Sequence, residues 1–462
     1  MTSPPLLLAG ETVMRVIVVG AGLAGLSATE SLAASGVDVV LLEAGHRFGG
    51  RTRTVKDVYI NGQYADSGAE WVDSIHWRMH DLMQRFGVKP LGQAMPWTTI
   101  RRWLYWDGKL FTAENIDTLS PGVFQAIEKY EALADSSASG VQDPSRPDLH
   151  PDAAQLDALS LADLITQSGL DPVAKLFARR ESQGEFASEP ENVSSLFVAQ
   201  QRAFEQSEAT KQGIEHLSQR VAGGTAQIAI ALGSQLQESP HVTIKFGTRL
   251  VGVEQDDSGV VVEVEGAQGR ETLSGNALIL ACSLVPLRRV DFRTAMPSDF
   301  HEAFHNLGYG PITKTAVQFE QRSWESGYGT TDSISQRLYD PSVDQTGSSG
   351  ILMSYCGGDA GQRLAEYSEA ERVEMIAADM RQIHGITSAQ IGGFSRSWSA
   401  EKNYGGAYAV YQTGQITSYW NVLRQPWGRV HLAGEHVATC NGYMEGAVES
   451  GRDVAERIVR SA

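Results

Sequence analysis

The sequence predicts an α/β protein built on a Rossmann-like dinucleotide-binding domain that the chain assembles from three separated segments. Three observations predict it. Near the start, RVIVVGAGLAGLSA (residues 15–28) drives an apolar run into Gly20, Gly22 and Gly25. A second buried run, ALILAC, stands at 277–282. A third, GRVHLAGE, lies at 428–435 and leads into the helical pattern GYMEGAVESGRDVAERIV. Two inserts of different character separate these pieces.

The elements read as follows. Residues 16–19 are β-branched and apolar, as in a strand buried on both faces. Residues 23–34 are rich in Leu and Ala and form a helix. Gly20 makes the tight turn, Gly22 admits a phosphate to the backbone, and Gly25 lets helix pack on strand. The helix N-terminus, with Leu23 and Ala24, offers free N–H groups and partial positive charge to a pyrophosphate. VDVVLLE then ends in Glu43, where a carboxylate accepts bonds from adenosine ribose hydroxyls; Ala44 follows it. Stretches 76–90, 111–133 and 153–219 look helical, and 134–152, rich in Ser, Pro and Asp, reads as a surface loop. VAGGTAQIAIALGSQL is a Gly-Gly turn opening a helix. Residues 242–266 alternate as a hairpin around DDSG, with Leu250 on the first arm. Residues 310–320 and 350–356 read as strands and 368–384 as a helix. The expected boundaries are a nucleotide domain at 14–75, 221–290 and 398–462, a helical insert at 76–220 and a sheet insert at 291–397. Residues 1–13 read as a disordered extension.

Composition sets further bounds. At 462 residues the chain has room for two cores. A net charge of −17 argues against nucleic acid or an anionic membrane as partner. It mildly concentrates cationic substrates, or it is simply a solvated acidic surface. Cys282, Cys356 and Cys440 are scattered without a CxxC pair, which fits a reducing, cytoplasmic compartment with no disulfide framework or zinc site. The start is a poor signal peptide, and no run reaches membrane-spanning length.

After Glu43 the chain reads EAGHRFGGRTRT. A second glycine pair, Gly49 and Gly50, followed by Arg51, suits another backbone approach to the same pyrophosphate with a guanidinium beside it. This resembles the FAD-binding N-terminus of the flavin amine oxidase family, the monoamine and polyamine oxidases, and the motif order matches across nearly the whole chain. One departure is visible: the family carries Arg where Gly45 stands, and Arg47 is the candidate to replace it.

The resemblance implies a GR2-type FAD domain and a substrate domain of mixed sheet covered by helices. It implies that Gly68, Ala69, Glu70 and Trp71 form a flavin-facing turn in ADSGAEWVDSIHW. Gly434 and Glu435 come near the ribityl–phosphate chain. The stretch from Gly442 through Met444 to Ala447 aims a helix N-terminus at the flavin pyrimidine. Trp398 and Tyr408 match a Trp–Tyr pair ten residues apart; with Tyr443, Tyr408 makes an aromatic cage for the amine. Either Tyr alone reads better as core; the pair in both motifs favours the cage. Lys314 matches a lysine that holds a water at flavin N5 and assists reoxidation by oxygen; the plain alternative is a solvated lysine. Ala407 stands where monoamine oxidases carry a flavin-linking Cys, so non-covalent FAD is implied. Asp73 could pair with a distal ammonium, or be a surface carboxylate or helix cap. L-amino acid oxidases have an Arg where Trp71 stands, which counts against an amino-acid substrate without excluding another Arg. Trp97, Trp103, Tyr105 and Trp106 flank a DG turn and are core or tunnel lining.

The implied reaction takes hydride from a small amine's α-carbon to flavin N5. The imine hydrolyses to aldehyde or ketone, and O2 is reduced to hydrogen peroxide. An L-amino acid oxidase, a desaturase and a flavin-free prenyl-protein escort are the rivals on this fold. The amine's identity, the physiological acceptor and the oligomeric state, a homodimer included, stay open.

Overall fold

The computed structural model describes residues 14–96 and 101–461. The extension at 1–13 and Trp97 lie outside the described residues.

Five parallel strands form the nucleotide sheet, in the order Val242–Lys245, Asp38–Leu42, Arg15–Val19, Ala277–Leu280, Val430–Leu432. Their order in space differs from their order in the chain, so three distant stretches complete one sheet. Its central strands are buried because helices cover one face, while Ile17, Leu278 and Leu280 on the other face pack against Val253, Val260, Val262 and Val264. The helix Leu23–Ala34 packs along Met444–Arg460, joining the first and last segments. Beside this layer a four-stranded sheet carries Arg249–Gln255 and Val260–Gly266, the alternating hairpin, with Gly269–Gly275 as a further strand.

The second layer is a seven-stranded sheet in the order Gln390–Ser397, Thr313–Phe319, Gly350–Cys356, Arg337–Tyr339, Tyr328–Thr331, Arg102–Trp106, Lys109–Phe111. The last two strands come from the stretch that sequence assigns to the helical insert. The Asp107–Gly108 turn has positive φ at both residues, which closes this aromatic hairpin tightly. Trp103 and Tyr105 are buried in the core between this sheet and the helix Glu369–His384.

Periodicity misjudged several boundaries in the first insert. The helix expected over 76–90 is Trp77–Arg85, followed by the strand Pro90–Met95. The helix expected from 111 begins at Val123, after Gly122 in the left-handed region, and runs on to Ala138 into the expected loop. The stretch 153–219 breaks into four helices and ends in the strand Ser218–Val221, which pairs with Trp71–Asp73. One of these helices, Pro172–Glu185, packs on the strands Tyr328–Thr331 and Gly350–Cys356 of the seven-stranded sheet.

Candidate active site

A cavity of about 1060 Å³ runs from the glycine loops of the parallel sheet to the helices of the first insert. Every cofactor or substrate residue expected from sequence lines it except Gly25 and Arg47. Gly25 acts where expected, in packing: a Cβ there would fall 1.9 Å from Gly20 O and 3.2 Å from Ala281 Cβ. Arg47 is a correction. Its guanidinium donates to the carbonyls of Phe48 (3.1 Å), Gly50 (2.5 Å) and Thr52 (3.3 Å) and to Tyr404 Oη (3.2 Å). It buttresses the second glycine loop from behind because that loop leaves its own carbonyls unpaired.

At the nucleotide end the groups presented are mostly backbone. Gly22 and Gly49 join in a parallel bridge, and a Cβ on Gly50 would come within 3.2 Å of Gly22 Cα. The helix Leu23–Ala34 starts at Gly22 with no side-chain cap and no acid in its first turn, so its N–H groups await an anion. Glu43 accepts from Ala21 N (2.8 Å) and Gly45 N (2.7 Å), which fixes it while leaving acceptor capacity for a ribose diol. Arg51 Nη1 bonds Glu435 Oε1 at 2.7 Å, and Glu435 also accepts from Gly442 N (3.1 Å) and Ala409 N (3.2 Å). This buried pair ties the first segment to the last. Leu250, Ala44 and Gly434 complete the wall. The side-chain-free cradle, the uncapped helix and the acid at the strand end fit a dinucleotide.

The helix Met444–Arg460 begins at Tyr443, again with no side-chain cap. The acid of its first turn, Glu445, faces away: it accepts from Arg78 N (3.2 Å) and Met79 N (2.9 Å) at the start of Trp77–Arg85. Positive partial charge is therefore left at Met444 and Ala447, which line the cavity. Nearby, Trp398 Nε1 donates to Ser67 O at 2.9 Å.

The two tyrosines are held by consecutive residues at the end of Pro172–Glu185. Tyr408 Oη donates to Gly184 O, and Tyr443 Oη donates to Glu185 Oε1 at 2.6 Å. Tyr355 Oη adds a bond to Tyr408 Oη at 3.1 Å. Burial first, with Glu185 adding to it, pushes both phenols well above their ordinary value, so both stay protonated donors. A methyl on Gly442 would contact the Tyr408 ring at 3.3 Å, so the two tyrosine-bearing segments meet there.

Lys314 is buried mid-strand rather than solvated. Its Nζ reaches Glu70 Oε2 (3.0 Å), Gly68 O (3.0 Å) and Asp66 O (3.3 Å). Three acceptors match the three ammonium protons. Glu70 also accepts from Arg220 Nε (2.9 Å) and Tyr339 Oη (2.5 Å). Burial favours its neutral form, but Lys314 and Arg220 outweigh that and hold its pKa below the ordinary value. Trp71 lies under the Arg220 guanidinium at 4.5 Å. Glu70 and Trp71 thus organise the turn as well as bordering the cavity.

Asp73 is not a surface carboxylate. It is 4% exposed and accepts from His216 Nε2 (3.0 Å) and Ser218 Oγ (2.5 Å). His216 continues to Glu205, which lies beside Arg202. Sequence reasoning missed Gly184, Glu185, Glu205, His216, Arg337, Tyr339 and Tyr355. None sits in a recognisable motif, and Tyr355 was read only as part of a strand over 350–356.

Comparison with known proteins gives a consistent result. Residues 23–459 match the family described as flavin containing amine oxidoreductase. Amine oxidase [flavin-containing] A of Canis lupus familiaris is 26% identical, covering 96% of this chain and 85% of that protein. An L-amino acid dehydrogenase of Synechocystis is 26% identical, covering 99% of this chain and 97% of that protein. The solved structure of cyclohexylamine oxidase from Brevibacterium oxydans superposes with a TM-score of 0.82 at 21% identity, covering 97% of this chain and 99% of that one, which speaks to the fold. Among the described residues no helix is long and apolar enough to cross a membrane. With its glycine cradle and its phenols on one cavity, and with the family match spanning nearly its whole length, the chain belongs to the flavin-containing amine oxidoreductases.

Proposed function

We propose that this protein oxidises a small amine at non-covalently held FAD, with Tyr408 and Tyr443 as the walls of the amine site. The observation that carries the reading is one continuous cavity bordered by the dinucleotide cradle at one end and by both phenols at the other. Gly22, Leu23, Ala24, Glu43, Gly49, Gly50 and Arg51 would hold the adenosine and pyrophosphate. Gly434, Glu435, Gly442, Met444 and Trp398 would hold the flavin half. Bound there, FAD supplies a two-electron acceptor that takes the amine's α-hydrogen with its electron pair and returns both electrons to oxygen as peroxide.

The remaining work falls to this chain's own residues. The phenols of Tyr408 and Tyr443 spend their protons on Gly184 and Glu185, which fixes the rings and leaves their faces for the amine. Lys314, clamped by Glu70, places a positive charge where negative charge accumulates during oxygen reduction. No strong base is required of the protein when the amine enters neutral, so the rate rises with pH as the amine loses its proton. Ala407 supports non-covalent attachment, since it has no nucleophile, and Cys440 is fully buried with its thiol pushed well up by burial.

The test is direct. The purified protein is yellow, and acid precipitation releases its flavin into the supernatant. A peroxide-coupled screen of primary, secondary and polyamines yields turnover. A colourless protein that takes up no FAD refutes the reading.

A further inference from the structure

Arg337 differs from Lys314, its neighbour on the same wall. It opposes Tyr355 across one strand pair, and Tyr355 opposes Lys314 across the next. Cross-strand neighbours share a face, and all three line the cavity. Lys314 has three acceptors. Among the described residues, no hydrogen-bond acceptor or carboxylate reaches the Arg337 guanidinium.

The carboxylates of this wall are already engaged. Glu185 holds Tyr443, Glu70 holds Lys314 and Arg220, and Glu181 pairs with Arg202 at 3.2 Å. A second guanidinium, Arg180, lies close by and donates to Thr331 O (2.9 Å) and Gln183 Oε1 (2.6 Å) with no carboxylate paired to it. Neither guanidinium of this corner thus has a carboxylate paired to it within the chain, and a ligand carboxylate in the cavity would supply one. The chain also makes room for Arg337. A Cβ on Gly184 would fall 1.6 Å from Arg337 Nη1, and Gly184 is the residue whose carbonyl holds Tyr408. The helix end there favours a cation but supplies it no bond.

We propose that Arg337 receives a carboxylate of the substrate, so that the amine oxidised here is an amino acid, α or ω. The proposal rests on the amine-oxidation reading above. It assigns to a strand residue the anchoring that Trp71 denies to the turn. Arg337, with five donors in a planar fork, matches a carboxylate in geometry as well as charge.

The test uses the flavin-loaded protein. Benzoate, an inert carboxylate, is titrated while the flavin absorbance is followed, with neutral benzamide as the control. Benzoate binds at least tenfold more tightly than benzamide; Arg337→Met raises its Kd tenfold or more, and Arg337→Lys retains part of the affinity. Turnover is then compared within two pairs, 2-phenylethylamine with phenylalanine and n-butylamine with 4-aminobutanoate. The carboxylated member is preferred in one pair, which tells α from ω, and Arg337→Met removes the preference chiefly through KM. Benzoate no tighter than benzamide, or equal benzoate affinity in wild type and Arg337→Met, overturns the proposal while peroxide from the plain amines leaves amine oxidation standing. Peroxide from none of the four compounds overturns both.

Discussion

At one end of the cavity the contacts come from main chain: two glycine loops, two uncapped helix starts, and acids that hold backbone N–H groups. At the other end they come from side chains delivered by elements far apart in sequence: Glu185 from a helix end, Arg337 and Tyr355 from neighbouring strands, Tyr408 and Tyr443 from loops near the C-terminus. Backbone contacts depend on the absence of side chains, so they tolerate little substitution but accept any ligand of the right outline. Side-chain contacts can be exchanged one at a time. One molecule thus keeps a fixed cofactor end and an adjustable substrate end.

Four experiments would break or sharpen that contrast. The largest effect falls at the fixed end. Gly25→Val drives methyl groups into Gly20 O, and the purified variant should retain under about a tenth of wild-type flavin by its absorbance ratio, since overpacking here has no room to relax. Full flavin content would contradict a steric cradle. Next is Lys314→Met, which removes the buried charge and leaves Glu70 to Arg220 and Tyr339. Stopped-flow reoxidation by oxygen should slow by about 10²-fold or more; unchanged oxygen kinetics would take the role from Lys314.

The phenols separate more finely. Tyr443→Phe strands a carboxylate, whereas Tyr408→Phe strands a backbone carbonyl. Bonds to charged groups contribute about 1.5–3 kcal/mol and neutral ones about 0.5–1.5, so kcat/KM should fall more for Tyr443→Phe. Equal losses would mean that Glu185 does not position its ring. The smallest effect is on stability. Burial lifts the Glu205 carboxyl from 4.5 to about 7, with Glu185 and Asp73 adding to it against the pull of Arg202. A raised carboxyl contributes its full stability below pH 4.5 and loses it as pH climbs through about 7. Glu205→Gln should therefore melt like wild type at pH 4 and a few degrees higher at pH 8, on the order of 1–3 kcal/mol. The same offset at both pH values would exclude the titration.

The same contrast explains what could be read from sequence. Gly20, Gly22, Gly25, Glu43, Gly49, Gly50 and Arg51 were legible because their spacing along the chain is the site. Gly434, Glu435 and Gly442–Met444 were legible for the same reason. Arg47 misled because a charge beside a glycine loop looks like a phosphate ligand, and nothing local reveals that the loop's own carbonyls consume it. Glu185, Arg337 and Glu205 were invisible because strand register and helix docking bring them together, and neither is written in a short motif. The aromatic hairpin around the DG turn was legible, but its place in the seven-stranded sheet was not, because its partner strand, Tyr328–Thr331, lies far along the chain.

The Arg51–Glu435 bond spans nearly the entire polypeptide, and the strand Val430–Leu432 is the last to join its sheet. A ribosome must therefore release residues 430–460 before the groove has both walls. Until then the edge at Ala277–Leu280 lies open, and it is covered only when Val430–Leu432 pairs there.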